Sequence, residues 1–574
     1  MKKEWRFREG PEGVAPPTWA ERLCISPLML NILWRRGFTD IDSIERFLSP
    51  RLGGLPLPDS LPQVAQAAQV LADELLAGKK IVVWGDYDVD GITATSLALD
   101  VLQTHGIDAS WHIPDRRDEG YGLNARHVRT LAGQGIDVLL TVDCGISDIE
   151  AVRCAREMGM TVVVSDHHLP PETLPDAHAL CNPRLWSRTA PGLDLAGVGV
   201  AFYLMAKVNA LLAPHTGKRH NMDDALDMVA LGTLADVMTL DNENRILTRG
   251  GLDVLSKARR PGVAALKKVS GMDEAAKLSA GQVVFRLAPR INAAGRMEHA
   301  STAVRLLREN DPEKAAELAI ALDSLNDKRR EEEDRIYVQA SEQARAMSVG
   351  GRKAAFVLYG ADWNVGVVGI VASRIAEEYN CPTIVFCDDK GLLKGSGRSV
   401  PGFDLHAAVE SVGHCLLGFG GHRMAAGLRM EKARLEEFCQ AFEQAARKAL
   451  GDSPVVRPLL VECELDFGKA CDLCFLKELE LLQPFGPGNA EPVFASPSLL
   501  VKKRMPLGRG REHVRLELQD TVSGVTLFAK AWRMGRELTD SFVGRKIRIA
   551  YTLRIDFYNG IAAVDVGIRD WMEV

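Results

Sequence analysis

Three short apolar runs each end abruptly in carboxylates or imidazoles, and this pattern limits the fold more than any other feature of the chain. Thr161-Val162-Val163-Val164 closes on Ser165-Asp166-His167-His168. Ile81-Val82-Val83-Trp84 runs into Gly85-Asp86-Tyr87-Asp88-Val89-Asp90-Gly91, and Val138-Leu139-Leu140-Thr141-Val142 into Asp143-Cys144-Gly145. β-Prone runs of this length, ended by polar residues, read as buried strands. Helix-period segments at 92–104, 125–134 and 148–158 separate them, so the alternation predicts a doubly wound parallel sheet. In such a sheet, ligands bind at the C-terminal edge of the strands. A fourth acid, Asp236, ends the apolar stretch 228–235.

These residue types select a chemistry. Carboxylate oxygens suit Mg²⁺ and Mn²⁺, and imidazole tips the balance toward Mn²⁺. Carboxylates gathered at one sheet edge repel one another unless cations join them. Two metals sharing a carboxylate are a standard arrangement for phosphoryl hydrolysis, because both the attacking and the leaving oxygen are neutralised. Singly, each piece has a plainer reading. An Asp after a strand is more often a turn residue or helix N-cap. The Asp-x-Asp-x-Asp-Gly stretch lacks the entering helix and bidentate Glu of an EF-hand. The conjunction points to a divalent-metal phosphoesterase.

Asp86-Tyr87-Asp88-Val89-Asp90-Gly91, Asp143, Asp166-His167-His168 and Asp236 resemble the four motifs of the DHH phosphoesterase superfamily. Downstream stretches are similar to the bacterial RecJ single-strand-specific exonucleases, and the resemblance runs from about Gly78 onward. It implies Asp88, Asp90, Asp143, His167 and Asp236 as metal ligands, with Asp143 as the bridge. The implied cofactor is Mn²⁺ or Mg²⁺, two per active site. His168 is expected to orient or stabilise the scissile phosphate, and Asp166 to hold an imidazole in place. Asp86 joins His168 and Asp166 as a candidate catalytic residue, and the chain departs from the pattern just before it. Many DHH enzymes carry a ligand histidine four residues before the second Asp of this loop, where this chain has Trp84. Either Asp86 compensates or the two metal sites differ in affinity.

At 574 residues the chain exceeds one hydrophobic core. The expected architecture is multidomain α/β. An N-terminal segment (1–60) packs on a parallel-sheet DHH catalytic domain (61–265). A long helical connector (266–350) leads to a second α/β, DHHA1-like substrate-binding domain (351–455) and a C-terminal OB-fold β-barrel (456–574). Hydrophobic content of 46% with 25% charged residues fits a soluble globular protein. No long uninterrupted apolar segment stands out and the first ten residues carry no apolar core, so neither a membrane span nor a signal peptide is expected. The net charge of −6 excludes a uniformly basic nucleic-acid coat, so binding must rest on local basic patches. The 11 scattered cysteines fit a reducing cytosol, hence a cytoplasmic location. Cys471 and Cys474 read as two thiols on one helix face.

Candidate substrate residues lie outside the acidic motifs. The loop 114–122 carries Arg116 and Tyr121, suited to gripping a phosphate and stacking a base. Arg290 and Arg296 flank Asn292 and Gly295 and could face phosphate. Gly366-Val367-Val368-Gly369 opens a helix carrying Ser373 and Arg374. In Gly395-Ser396-Gly397-Arg398 the glycines let N–H groups approach an oxyanion while Arg398 forks onto phosphate. The Gly-rich run 418–421 precedes His422. The resemblance assigns Ser396, Arg398 and His422 to substrate phosphates, and Arg374 joins this set. The small residues at 196–200 read as packing and the charged run 328–335 as solvated helix surface. The stretch 483–492 reads as a loop. After 456, five or so short strands with basic turns at Lys502, Lys503, Arg504, Arg509 and Arg511 resemble an OB-fold. Trp532, Tyr551, Phe557 and Tyr558 are its candidate stacking platforms.

Together these features predict a metal-dependent exonuclease acting on single-stranded DNA. The 5′→3′ polarity, DNA over RNA, and 5′-mononucleotide product come from the resemblance alone. So do a role in recombination and repair and the partners, a helicase and a single-strand-binding protein. The alternatives are a small-substrate DHH phosphodiesterase or oligonucleotidase, which needs no C-terminal barrel, and a catalytically silent strand binder, which needs no intact acidic set.

Overall fold

The acid-ended runs are the central strands of one sheet in the computed structural model, which describes residues 3–116, 119–273, 275–349, 351–451, 458–508, 512–558 and 561–574, with side chains left out at 557–562. In spatial order the strands are Ser110–His112, Ile81–Gly85, Val138–Val142, Thr161–Ser165 and Ala179–Cys181, all parallel. The chain starts at the second of these, moves outward to Ser110–His112, then crosses to the other side. The order therefore reverses between Ile81–Gly85 and Val138–Val142, the position at which open parallel sheets bind ligands.

Side-chain alternation divides the sheet between two cores. Val83, Leu140 and Val163 face the larger one, with helices Val64–Leu76, Val89–Thr104 and Gly197–Thr216. Val82, Trp84, Leu139, Val162 and Val164 face the other. Helix Gly197–Thr216 is long and apolar enough to cross a membrane, which corrects the expectation of no such segment. Most of its residues, among them Val200, Leu204, Met205 and Val208, are buried in the larger core. Its composition is that of a helix surrounded by protein on nearly every side.

Helix Pro312–Ser348 joins the two α/β regions as one element of 37 residues. Ala315, Ala319, Leu322 and Leu325 lie in the first core, whereas Ile336, Ala340 and Ala344 pack with Phe356, Trp363 and Val371 in another. The charged run within it is more than a solvated surface. Arg329 is buried and pairs with Glu333 at 2.7 Å, and Glu333 in turn meets Arg374 at 3.0 Å.

The second sheet runs Gly418–His422, Ala425–Met430, Leu392–Arg398, Thr383–Asp389, Phe356–Gly360, with only the last pair parallel. The C-terminal strands Leu499–Leu507, His513–Asp520, Thr526–Ala531, Lys546–Tyr558 and Ile561–Glu573 close on themselves. Within that barrel Thr526–Ala531 and Ile561–Glu573 pair in parallel and the other neighbours are antiparallel, which is the OB-fold arrangement. Cys471 and Cys474 straddle a helix break. The first caps Phe467–Ala470 and the second lies in Leu473–Leu481, so they do not share one helix face.

The N-terminal segment does not pack chiefly on the parallel-sheet region. Strand Glu4–Phe7 pairs in parallel with Pro458–Val461, and Met29, Leu33 and Ile44 share a core with Phe475, Phe494 and Leu516. Burying both apolar sets in one core removes more surface from water than either set could alone.

Candidate metal centre and substrate cleft

Each acid reaches the site through a local device. Asp88 caps helix Val89–Thr104, accepting from the N–H groups of Asp90 (2.9 Å) and Gly91 (3.2 Å), so this helix starts earlier than its apolar period indicates. Asp143 sits in the left-handed region (φ 62°), which Asp tolerates better than most residues. Asp236 is the C-cap of helix Leu226–Ala235. That helix reaches the Asp90 helix because Gly232 carries no Cβ, which would lie 2.4 Å from Thr93 Oγ1 and 2.8 Å from Asp90 Oδ1.

Ligand atoms of Asp86, Asp88 and Asp143 lie within 4.8 Å of one another, as do those of Asp90, His167 and Asp236, and those of Asp143, His167 and His168. His167 Nε2 is 3.2 Å from Asp143, 3.6 Å from Asp236 and 3.8 Å from Asp90. Asp143 and His167 thus link the two carboxylate sets. Burial first, and then the neighbouring carboxylates, push Asp86 and Asp143 well above the usual carboxylate range. The same causes raise Asp90 to about 7 and Asp236 to about 8. Asp86 Oδ1 is buried with no hydrogen-bond partner. Crowded carboxylates with an orphaned oxygen and one neutral imidazole fit hard divalent cations of the Mg²⁺ and Mn²⁺ kind.

The two histidines differ. Burial and the neighbouring His168 charge lower His167 to about 3, which leaves it neutral and able to donate a lone pair. Burial opposes charge on His168 too, but the Asp166 carboxylate 2.8 Å from Nδ1 outweighs it and raises His168 to about 9. Asp166 also accepts from the amides of Ile146 (3.0 Å) and His168 (3.1 Å). The Asp166 carboxylate therefore fixes the orientation of the His168 ring. Trp84 offers no ligand atom. Its ring lies in the far core, 4.2 Å from the His112 ring centroid, while Asp86 lies with Asp88 and Asp143.

The opposite wall carries cations. Ser396 Oγ accepts from Arg398 at 3.0 Å. Both lie against the first turn of helix Val368–Tyr379, where a Cβ on Gly369 would meet Ser396 Oγ at 2.8 Å and Arg398 Nη2 at 3.0 Å. Arg296 donates to Gly366 O at 2.9 Å, tying the two α/β regions together. Burial lowers Arg296 to about 9, helped by Arg116, Arg329 and Arg398, while Asp88 acts in the other direction. This anion-seeking cluster faces the acids. Arg116 stands over the Tyr87 ring (4.9 Å), and Tyr121 is 45% exposed with its hydroxyl 3.1 Å from His168 Nδ1. His422 ends an exposed strand, near enough to His168 and His406 for their charges to hold its proton affinity down after burial has done so.

Several sequence readings change. Arg374 is engaged by Glu333 and Asp334 (2.8 Å) and stacks on Tyr337 at 3.8 Å, so it fastens the long helix. Arg290 is buried on Asp323 (2.8 Å) within helix Ala288–Met297, so this carboxylate takes its charge. Tyr551 is core, its hydroxyl donating to Leu465 O at 2.7 Å. Trp532 is 57% exposed beside His513, and Arg515 stands 4.2 Å over the half-exposed Phe528 ring. Arg117, Arg509 and Arg511, with the side chains of Phe557 and Tyr558, lie outside the described residues. The small-residue start at 196–200 is more than packing: Gly197 and Val198 donate their N–H groups to Asp90 at 2.7 and 2.9 Å. Asp148, unnoticed in the sequence, accepts from Leu123 N–H at 2.7 Å and fixes the loop that presents Tyr121.

A doubly wound sheet whose switch point gathers these acids and imidazoles, faced by a second α/β region, defines a DHH phosphoesterase. Residues 80–233 match the DHH family N-terminal domain, 350–448 the DHHA1 domain and 461–570 the RecJ OB domain. The chain belongs to the RecJ family of single-stranded-DNA-specific exonucleases. It is 34% identical to the single-stranded-DNA-specific exonuclease RecJ of Haemophilus influenzae, over 100% of this chain and 99% of that protein. It is 38% identical to that of Dickeya dadantii, over 95% and 96%. The crystal structure of RecJ from Thermus thermophilus in complex with Mn²⁺ superposes with a TM-score of 0.83 at 31% identity, covering 100% of this chain and 80% of the other.

Proposed function

We propose that this chain is a Mn²⁺- or Mg²⁺-dependent exonuclease that degrades single-stranded DNA from the 5′ end to 5′-mononucleotides, with two cations per active site. The carrying observation is the pair of carboxylate sets linked through Asp143 and His167, with Arg116 and Arg398 clustered around Arg296, itself within electrostatic reach of Asp88. Asp86, Asp88 and Asp143 would hold one cation, and Asp90, His167, Asp236 and the shared Asp143 the other. When bound, divalent cations neutralise phosphate charge and acidify water. The chain's own residues do the rest. His168, kept cationic by Asp166, presents an N–H to the scissile phosphate. Arg398, Ser396 and Arg296 bind the terminal phosphate, with His422 beside them. Arg116 takes a neighbouring phosphate, and Tyr121 offers its face to a base.

Exposed aromatics and basic groups on the barrel, at Trp532 and at Arg515 with Phe528, support a single-strand preference over the small-substrate alternative. By the family's role, the reading extends to recombination and repair in the cytoplasm, beside a helicase and a single-strand-binding protein. The test is digestion of DNA labelled at either end, with Mn²⁺, against duplex, RNA and cyclic dinucleotide controls. Early release of 5′-labelled mononucleotide from single strands alone is the expected result. Turnover of the small phosphodiester without DNA cleavage would overturn it.

A further inference from the structure

We propose that the loop 483–489 of the C-terminal region is a brace that fixes Asp236, so that cation affinity at the Asp90–His167–Asp236 cluster depends on how this loop docks. The inference rests on the metal-centre reading above.

The helix carrying Asp236 ends under strain. After the C-cap, Val237 adopts φ 59°, and the Met238 N–H returns to Thr233 O at 3.3 Å. This is a left-handed helix end of the kind glycine normally makes. A β-branched residue there is an outlier, and such strain persists only where the surroundings over-determine it. Val237 is 60% exposed, so its own side chain does not supply the constraint.

The next residues do, through one loop. Leu240 N–H donates to Pro487 O at 2.8 Å. Gly488, at φ 75°, presses on Thr239, where a Cβ would stand 2.5 Å from Cγ2. A Cβ on Gly486 would stand 2.7 Å from Leu240 Cδ1. The loop is itself locked from behind. Buried Asn489 donates to Leu482 O (2.6 Å) and Pro484 O (2.8 Å) and accepts from Arg36 (2.9 Å). Arg245 donates to the carbonyls of Leu481, Leu482 and Gln483 at 3.0–3.1 Å, and Arg249 to Gln483 O at 2.7 Å. Two guanidinium groups therefore sit at the carbonyl end of helix Leu473–Leu481, where the helix dipole favours positive charge. The rigid loop bears directly on the turn that aims Asp236.

The experiment is a calorimetric titration of the metal-free full chain with Mn²⁺. Gly488→Ala is expected to weaken uptake at one site by about tenfold, the size usual for partners that orient metal ligands. Val237→Gly removes the strain, so adding it to Gly488→Ala is expected to bring affinity back to within about threefold of wild type. Gly488→Ala binding like wild type, or a loss that Val237→Gly does not repair, would overturn the brace. A wild type that takes up no Mn²⁺ would instead sink the metal-centre reading. Should Gly488→Ala not fold, amide exchange in the wild type decides, because coupling is reciprocal. Mn²⁺ is expected to slow exchange across 483–489, and an unchanged rate there would refute the proposal.

Discussion

Gly197 stands against Asp143 with no room for a side chain: a Cβ there would lie 2.3 Å from Asp143 Oδ1. The same residue gives its N–H to Asp90, so one glycine at a helix start serves both linked acid sets. Gly197→Ala suits the helix but not the acids. It is expected to retain the fold, by circular dichroism, and to lose more than about a hundredfold in cleavage rate, the scale of removing one oriented electrostatic group.

Asp143 is left-handed, and Asn tolerates that conformation where Ala does not. Asp143→Asn should abolish hydrolysis while raising the melting temperature of the metal-free protein, because the neutral amide avoids the cost of burying an acid among acidic neighbours. Asp143→Ala should be equally inactive and about 1–2 kcal/mol less stable than Asp143→Asn. Denaturant melts of both variants in EDTA, beside a nuclease assay, check the pair.

In metal-free protein, Asp90 and Asp236 titrate at about 7 and about 8. Both values lie above the unfolded value, so the folded state binds these protons more tightly. Their contribution to stability is complete below the unfolded pKa near 4 and is lost as pH rises through 7 to 8. Cations reverse this loss. Thermal melts from pH 5 to 9 should show the metal-free protein weakening toward alkaline pH, with the stabilisation by Mn²⁺ growing over the same range.

Trp532 is exposed at the barrel surface beside His513. A stacked base contributes about 1–3 kcal/mol, so Trp532→Ala should raise Kd for long single strands by about tenfold and leave kcat on dinucleotides unchanged. Fluorescence anisotropy and dinucleotide turnover separate the two effects. Equal losses on both substrates would contradict this division of labour.

Arg374 bonds Glu333 and Asp334 while stacking on Tyr337. Arg374→Ala should therefore destabilise the protein by about 1–3 kcal/mol. The slope of log Kd against log salt should stay unchanged, because no phosphate contact is removed.

Local pattern made much of this molecule legible. Val138–Val142 is a strand by its own composition, and an acid following it can only emerge at the sheet edge, so the acidic centre is readable without distant contacts. The barrel is readable for the same reason, in alternating strands such as His513–Asp520. What failed was long-range. Nothing near Arg374 announces Glu333, 41 residues away, and a charged helix face looks the same solvated or docked. Trp84 looked like a lost ligand, but strand alternation turns it to the other face. Gly197 read as packing because a glycine beside a carboxylate leaves no periodic trace.

The pairing of Glu4–Phe7 with Pro458–Val461 also sets an order in time. The first strand leaves the ribosome about 450 residues ahead of its partner, a delay of roughly 20–90 s at ordinary elongation rates. Until then Met29, Leu33 and Ile44 have no core to enter, and they hang from a growing chain whose central sheet has already formed. Burial of these N-terminal apolar residues thus waits on the C-terminal barrel, long after they are made.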